Sequence, residues 1–367
     1  MNTQLDTLKE QVIPQFISSG KILEFEPFGN GHINDTYRLT VEDGGKITRY
    51  VLQRLNTNVF TRPKQVMENI FAVTEFLRSK STAGQDPRSS MYFLRPKSGD
   101  PFFKTENGLS YRMYRFIEDT VSLDLPETRE DFYQSALAFG NFQRQLSDFP
   151  ANRLFETIPD FHNTPNRFQN FLRAVSEDRV GRLSTVQPEV AFIREREAFT
   201  HLLTDALKND EIPLRVTHND TKMNNVLLDK DTRKAVCVID LDTIMPGLSV
   251  TDFGDSIRFG ASTAPEDERD LSKVRFDLNL FETYLNGFLD GCDGQLTAQE
   301  IELLPEGSKM MTLECGMRFL TDYLEGDTYF RISYPEHNLD RCRTQLKLVA
   351  EMEAHWDEMK ELCRRRK

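Results

Sequence analysis

Residues 216–242 constrain this chain more than any other stretch. Two apolar runs, 226–229 (Val-Leu-Leu-Asp) and 235–240 (Ala-Val-Cys-Val-Ile-Asp), flank the polar spacer 230–234. That pattern predicts an antiparallel hairpin. The residue before the first strand of a hairpin lies beside the residue that ends the second. Asn225 and Asp240 are therefore expected as neighbours, about 5 Å apart at the backbone. Asp220 stands in the loop that leads into the hairpin, within His218-Asn219-Asp220-Thr221-Lys222.

Two carboxylates and an amide oxygen around one rigid hairpin end are oxygen ligands of the kind that hard Mg²⁺ prefers. Asn225 and Asp240 are the expected metal ligands, with positions left over for phosphate oxygens. Asp220 is the expected catalytic residue, orienting an acceptor hydroxyl. Phosphoryl transfer depends on positioning and charge neutralisation more than on a strong base, so an ordinary carboxylate suffices. ATP and Mg²⁺ are the implied cofactors.

Composition sets the boundaries. The 367 residues allow two lobes with a sizeable core. Their formal net charge of −12 lacks the basic footprint of nucleic-acid binding. The N-terminus shows no secretory pattern and no run of about 20 apolar residues is present, so no membrane partner is expected. Five scattered cysteines without Cys-x-x-Cys spacing fit reduced thiols in a cytoplasmic protein. Whether such a chain is a monomer or a dimer stays open.

The predicted elements divide the chain. Residues 1–20 read as a short amphipathic helix and lead-in, and strands dominate from there to about 118. They are expected at 22–28, 36–41, 48–55, 91–95, 101–105 and 111–117, with Asp43-Gly44-Gly45 as a turn. One helix interrupts them, beginning near Pro63 and carrying Val66, Ile70, Val73 and Leu77. Helical stripes follow, through Phe132, Ala136, Phe139 and Leu146, and through Leu346, Val349, Met352, Trp356 and Met359. The reading is an α+β chain with a small strand-rich lobe, 1–117, and a larger, mainly helical lobe, 118–367.

The spacing of Asp220 and Asn225 resembles the catalytic loop of the protein-kinase-like superfamily. The Val-Ile-Asp ending at Asp240 looks like the metal-binding element of its aminoglycoside phosphotransferase and choline kinase branch. Residues 218–222, 239–247, 319–323 and 337–341 resemble N-acetylhexosamine 1-kinases more closely, and the likeness extends from the Gly-rich turn near residue 29 almost to the C-terminus. The resemblance implies a two-lobed kinase-like fold. Asp252-Phe253-Gly254 spells the metal triplet of protein kinases but lies 32 residues past Asp220. The metal is therefore assigned to Asp240, and Asp252 and Asp255 are expected to brace the catalytic loop. His218 and Asp242 are expected to support that loop as well.

The same resemblance places the nucleotide on Gly29 and Gly31 of a strand–turn–strand loop, where glycines let backbone amides approach phosphates. Arg54 stands where kinases carry a phosphate-pairing lysine, with Glu68 or Glu75 as its partner. Phe116 and Ile117 lie at the expected adenine-facing connection. On the acceptor side it points to His32, Asp220, Phe259, Arg318 and Tyr329, although Arg318 and Asp322 also suit a helix ion pair. The implied reaction is phosphorylation of an N-acetylhexosamine at its anomeric hydroxyl, with a small-molecule sugar and ATP as partners. An aminoglycoside, choline or homoserine kinase is the alternative, followed by a catalytically dead nucleotide-binding regulator.

Overall fold

Two glycines in the left-handed region, Gly44 (φ 59°) and Gly45 (φ 82°), close a tight turn. They join Asp43 to its register partner Lys46, a two-residue hairpin that requires positive φ at both positions. This computed structural model describes residues 2–29, 34–80 and 86–367. Gly31 and His32 lie outside the described residues.

The chain opens with α1 (Asn2–Thr7), a π-helical turn and α2 (Ile13–Phe16). Strands β1 (Lys21–Pro27), β2 (Asp35–Asp43) and β3 (Lys46–Arg54) follow, then α3 (Pro63–Ser79). Short strands β4 (Phe93–Leu94) and β5 (Phe103–Lys104) precede β6 (Ser110–Arg115). The antiparallel sheet runs β1-β2-β3-β6-β4, with β5 also on β6. One face buries Leu39, Leu52 and Met113 against Leu8, Val12 and Ile13 of the leading helices. Pro63 starts α3, where its missing N–H costs nothing, and Val66, Ile70, Val73 and Leu77 are all buried.

The sheet ends at Arg115, and β7 (Thr120–Val121) already belongs to the second lobe. Helix α4 (Arg129–Gln145) begins with a Thr128/Asp131 capping box and buries Phe132, Ala136 and Phe139. Helices α5 (Thr164–Glu177), α6 (Gln187–Arg194), α7 (Glu197–Thr200) and α8 (Leu202–Lys208) lead to β8 (Arg215–Thr217). Strands β9 (Val226–Asp229) and β10 (Ala235–Val238) form the expected hairpin, and β7 adds to β9. Strand β11 (Met245–Gly247) pairs with β8.

Helices complete the chain: α9 (Ser249–Gly260), α10 (Leu278–Cys292), α11 (Ala298–Glu302), α12 (Leu304–Glu325), α13 (His337–Ala354) and α14 (Trp356–Arg364). Helices α9 and α12 cross almost in backbone contact: a Cβ on Gly254 would stand 2.2 Å from the Gly307 carbonyl oxygen. The C-terminal stripe predicted as one helix is two, because His355 (φ −103°, ψ 19°) leaves the helical conformation between α13 and α14. The α+β architecture, an antiparallel sheet lobe joined to a helical lobe, is the one the sequence led to expect. No helix among the described residues is long and apolar enough to cross a membrane.

Candidate active site

The loop carrying Asp220 is built by its surroundings. Asp252, at the start of α9, accepts from the backbone N–H of His218 and of Asn219, both at 2.8 Å, and from Gln143 Nε2 at 3.0 Å. Asp255, one turn on, accepts from the Thr221 N–H at 3.0 Å. The Thr221 hydroxyl donates to the Asp252 carbonyl at 2.6 Å. Three loop amides are thus satisfied by two buried carboxylates, which bears on why the Asp-Phe-Gly triplet does not need to hold a metal. Asn219 adopts a left-handed conformation (φ 63°), which asparagine tolerates, so the loop can turn there.

His218 is fully buried and faces Phe139 edge-on, ring centroids 5.5 Å apart. Its Nε2 lies 2.8 Å from the Ile239 carbonyl, an acceptor, so Nε2 carries the proton. Nδ1 then accepts from the Asp220 N–H at 3.3 Å. The imidazole ties the loop to the hairpin and has no nitrogen left for chemistry.

Asn225 and Asp240 are neighbours across the hairpin. Val226 pairs with Val238, and the Ile239 N–H donates to the Asn225 carbonyl at 2.9 Å. Asn225 Nδ2 donates to the Asp220 carbonyl at 2.8 Å and to its carboxylate at 3.2 Å, which directs the amide nitrogen toward Asp220 and leaves Oδ1 available. Lys222 Nζ closes on Asp220 Oδ1 at 2.7 Å. Burial favours the neutral amine of Lys222, but the adjoining Asp220 outweighs it and holds the ammonium form.

Asp240 is a left-handed residue (φ 58°) at the hairpin end. Asp240 is exposed to solvent yet crowded by protein, and no hydrogen bond from the described residues reaches its carboxylate. Loss of surrounding water, then the charges of Asp242 and Asp220, push its carboxyl up to about 6. Such a site is short of positive charge. The oxygen donors of Asn225 and Asp240 fit a hard divalent cation, which would relieve that repulsion.

Asp242 differs from expectation. It does not brace the catalytic loop; Thr243 does, donating to the His218 carbonyl at 2.7 Å and accepting at its own carbonyl from Asn219 at 2.9 Å. The turn Leu241–Thr243 packs on α3, and this carries the Asp242 carboxylate into the sheet lobe. There it pairs with the buried Arg112 guanidinium of β6 and accepts from Asn34 Nδ2 at 2.8 Å. Arg112 also donates to Gln53 Oε1 at 2.8 Å. Asn34, just past the Gly-rich turn, accepts in turn from the Asn56 N–H at 2.9 Å.

Arg54 does not meet a glutamate of α3. Asp35 is its register partner on β2, and the two form a 2.5 Å ion pair. Glu68 lies 3.8 Å from Lys64, and Glu75 lies 3.2 Å from Arg95. A cross-strand partner at van der Waals range wins over a helix across the lobe. Phe116 meets Phe28 of the Gly-rich turn edge-on at 5.6 Å, and Gly29 adopts φ 77°. The connection 116–119 is further held by the Arg49–Glu118 pair at 2.9 Å.

Of the residues expected on the acceptor side, Phe259 lines a narrow cavity with Thr221 and Met223. Arg318 lies away from Asp322 and packs against Phe161, Tyr329 and Phe330, 5.4–5.8 Å from their centroids. Asp322 instead accepts from the backbone N–H groups of Thr328, Tyr329 and Phe330 at 2.7–2.9 Å. Tyr329 is 70% exposed, its hydroxyl 3.5 Å from Arg318.

Sequence reasoning missed Arg112, Asn34, Lys222 and Thr243 as individual contributors. Lys222 and Thr243 lie within two or three residues of the assigned carboxylates, a signal that was legible. Arg112 was visible only through the register that sets it opposite Gln53.

Residues 24–285 match the model of the phosphotransferase enzyme family, APH. The chain belongs to that family. Solved structures share this family fold at low identity. A microcompartment-associated aminopropanol kinase aligns with TM-score 0.60 and 14% identity, covering 97% of this chain and 98% of that one. A spectinomycin phosphotransferase in complex with ADP and spectinomycin gives 0.57 and 13%, over 97% and 98%. An ethanolamine kinase from Plasmodium vivax gives 0.55 and 14%, over 92% and 85%. At these identities the likeness establishes the APH-type fold alone.

Proposed function

We propose that this phosphotransferase moves the γ-phosphate of ATP to the anomeric hydroxyl of an N-acetylhexosamine, N-acetylglucosamine or N-acetylgalactosamine, to give the sugar 1-phosphate. The observation that carries this reading is Arg318, an arginine with no ion-pair partner among the described residues, set against three aromatic rings. An aminoglycoside, choline or ethanolamine is a cation and would be repelled by the Arg318 guanidinium there. A neutral, hydrogen-bonding ring finds donors and apolar walls.

Asp220, held by Lys222 and Asn225, is the acceptor for the proton of the sugar hydroxyl. The anomeric oxygen bonds to the γ-phosphorus, the bond to the ADP oxygen breaks, and the hydroxyl proton passes to the Asp220 carboxylate. Asn225 Oδ1 and the Asp240 carboxylate would hold Mg²⁺, which when bound neutralises charge on the phosphates. ADP in the spectinomycin phosphotransferase supports an adenine nucleotide as donor. Residues 116 and 117 offer backbone groups to the adenine, and Gly29 offers amides to the phosphates. Arg54, half exposed beside Asp35, would supply a cation to the phosphates.

The test is ADP release from Mg-ATP with separate pools of N-acetylhexosamines, aminoglycosides, and choline with ethanolamine and aminopropanol. Turnover with the N-acetylhexosamines, and phosphate on C1 by NMR, is the expected result. Turnover confined to the cationic pools, or phosphate at another ring position, would sink the reading.

A further inference from the structure

Two polar atoms near the start of α5 are buried and have no hydrogen-bond partner among the described residues: His162 Nε2 and Arg167 Nε. An unpartnered buried polar atom is costly, so each calls for an explanation. Both belong to the cluster around Arg318. Phe161, whose ring lies 4.5 Å from that of His162, also faces Arg318 at 5.8 Å. Arg167 Nη2 donates to the Phe161 carbonyl at 3.1 Å. Burial, and then the charge of Arg318, lower the proton affinity of Arg167. The His162 ring stands within electrostatic reach of Asp252 and Asp255, the two carboxylates that hold the catalytic loop.

Glu314 of α12 decides the hydrogen-bonding sense of His162. Its Oε1 lies 2.9 Å from Nδ1, while Oε2 accepts from the Thr164 hydroxyl at 2.6 Å. Burial disfavours the Glu314 charge, but the bonds that His162 and Thr164 donate and the charge of Arg318 outweigh it, leaving an ionised, acceptor-only carboxylate. Nδ1 therefore carries the proton, and in the neutral imidazole Nε2 accepts. Arg167 Nε can only donate. The two free atoms are one acceptor and one donor, the complement of a secondary amide.

We propose that His162 and Arg167 form an N-acyl subsite, in which the acetamido N–H of the acceptor donates to His162 Nε2 and its carbonyl accepts from Arg167 Nε–H. This rests on the functional reading above and assigns the side chains that recognise the acyl group. A free amino sugar is disfavoured here, since its ammonium would face Arg167 and Arg318. A plain hexose carries donor and acceptor on a single hydroxyl oxygen, where the acetamido group carries them on two separate atoms.

The experiment compares kcat/KM for N-acetylglucosamine and glucose in the wild type, Arg167→Met and His162→Phe. Where glucose turns over too slowly to measure, its inhibition constant against N-acetylglucosamine takes its place. The wild type is expected to prefer the N-acetylated sugar, and each variant to lose about tenfold of that preference while its glucose value stays within about twofold. A preference unchanged in both variants, or a parallel fall for both sugars, overturns the subsite and leaves a structural role for the α5 turn. A wild type that uses only cationic acceptors defeats the functional reading before any variant is made, so the two failures are separable.

Discussion

The Arg112 guanidinium, buried in the sheet lobe, is ion-paired with Asp242, two residues beyond Asp240 in the helical lobe. Both side chains are at most 5% exposed. Burial works against the Arg112 charge, and the Asp242 carboxylate restores it. The pair joins the lobes through groups that have no alternative partner in water. Through Asn34 the same carboxylate reaches the end of the Gly-rich turn.

Replacing Arg112 by Met leaves the Asp242 charge uncompensated and is expected to cost about 3–5 kcal/mol of unfolding free energy. The double variant Arg112→Met/Asp242→Leu should recover much of that loss, since both charges are then absent. Guanidinium titrations of the four proteins of this cycle measure the coupling. Additive losses would show that the two residues act independently.

Asp220→Asn keeps the shape of the loop but cannot take the acceptor proton. Turnover is expected to fall roughly 10²–10⁴-fold. Binding of ADP, followed by calorimetry, should persist. Near-wild-type turnover would mean that another group accepts the proton.

Asp252→Asn puts an amide where two backbone N–H groups need acceptors, so at least one of the His218 and Asn219 amides loses its partner. A loss of about 1–3 kcal/mol in stability is expected, together with a lower kcat from a loosened Asp220. Thermal denaturation and steady-state kinetics read the two effects separately.

Asp322→Asn weakens the three backbone bonds that hold residues 328–330 and so releases Tyr329 and Phe330 from Arg318. The acceptor KM should rise several-fold while the ATP KM stays constant. An equal change in both constants would place the loop outside the acceptor side.

Glu300 links the strand that enters the catalytic loop to α11: it accepts from Arg215 at 2.5 and 2.7 Å and from the Ser249 hydroxyl at 2.6 Å. Burial alone would raise its carboxyl, yet the Arg215 and Ser249 bonds bring it below its ordinary value of 4.5. A depressed carboxyl contributes stability that is fully present above the unfolded value and is lost as pH falls through the folded one. Unfolding midpoints measured from pH 7 to pH 3 should therefore drop for the wild type below about 4.5. Glu300→Gln should start lower at pH 7 and show a flatter acid limb.

Local pattern was enough for the elements near the chemistry. The 226–240 hairpin follows from two apolar runs around a charged spacer, and with it the adjacency of Asn225 and Asp240. The α3 stripe and the Gly44-Gly45 turn were legible for the same reason: their information lies within a few residues. The α13–α14 break was not, because helical periodicity continues through His355 while the backbone leaves the helix there. Arg54 was matched to the wrong partners because strand register, which sets it opposite Asp35, is a long-range property.

By itself the sequence determined the two-lobed kinase-like order of elements, the Asp220–Asn225–Asp240 set and the bracing carboxylates Asp252 and Asp255. Each depends on contacts within one hairpin or between a loop and the next helix. Only the tertiary structure decided that Asp242 faces Arg112, that Asp322 holds the Tyr329 segment, and that His162 and Arg167 gather around Glu314 and Arg318. Those pairings cross up to 152 residues of chain, as between His162 and Glu314. They exist because a buried charge must find a partner in whatever surface the packed helices and sheet bring to it.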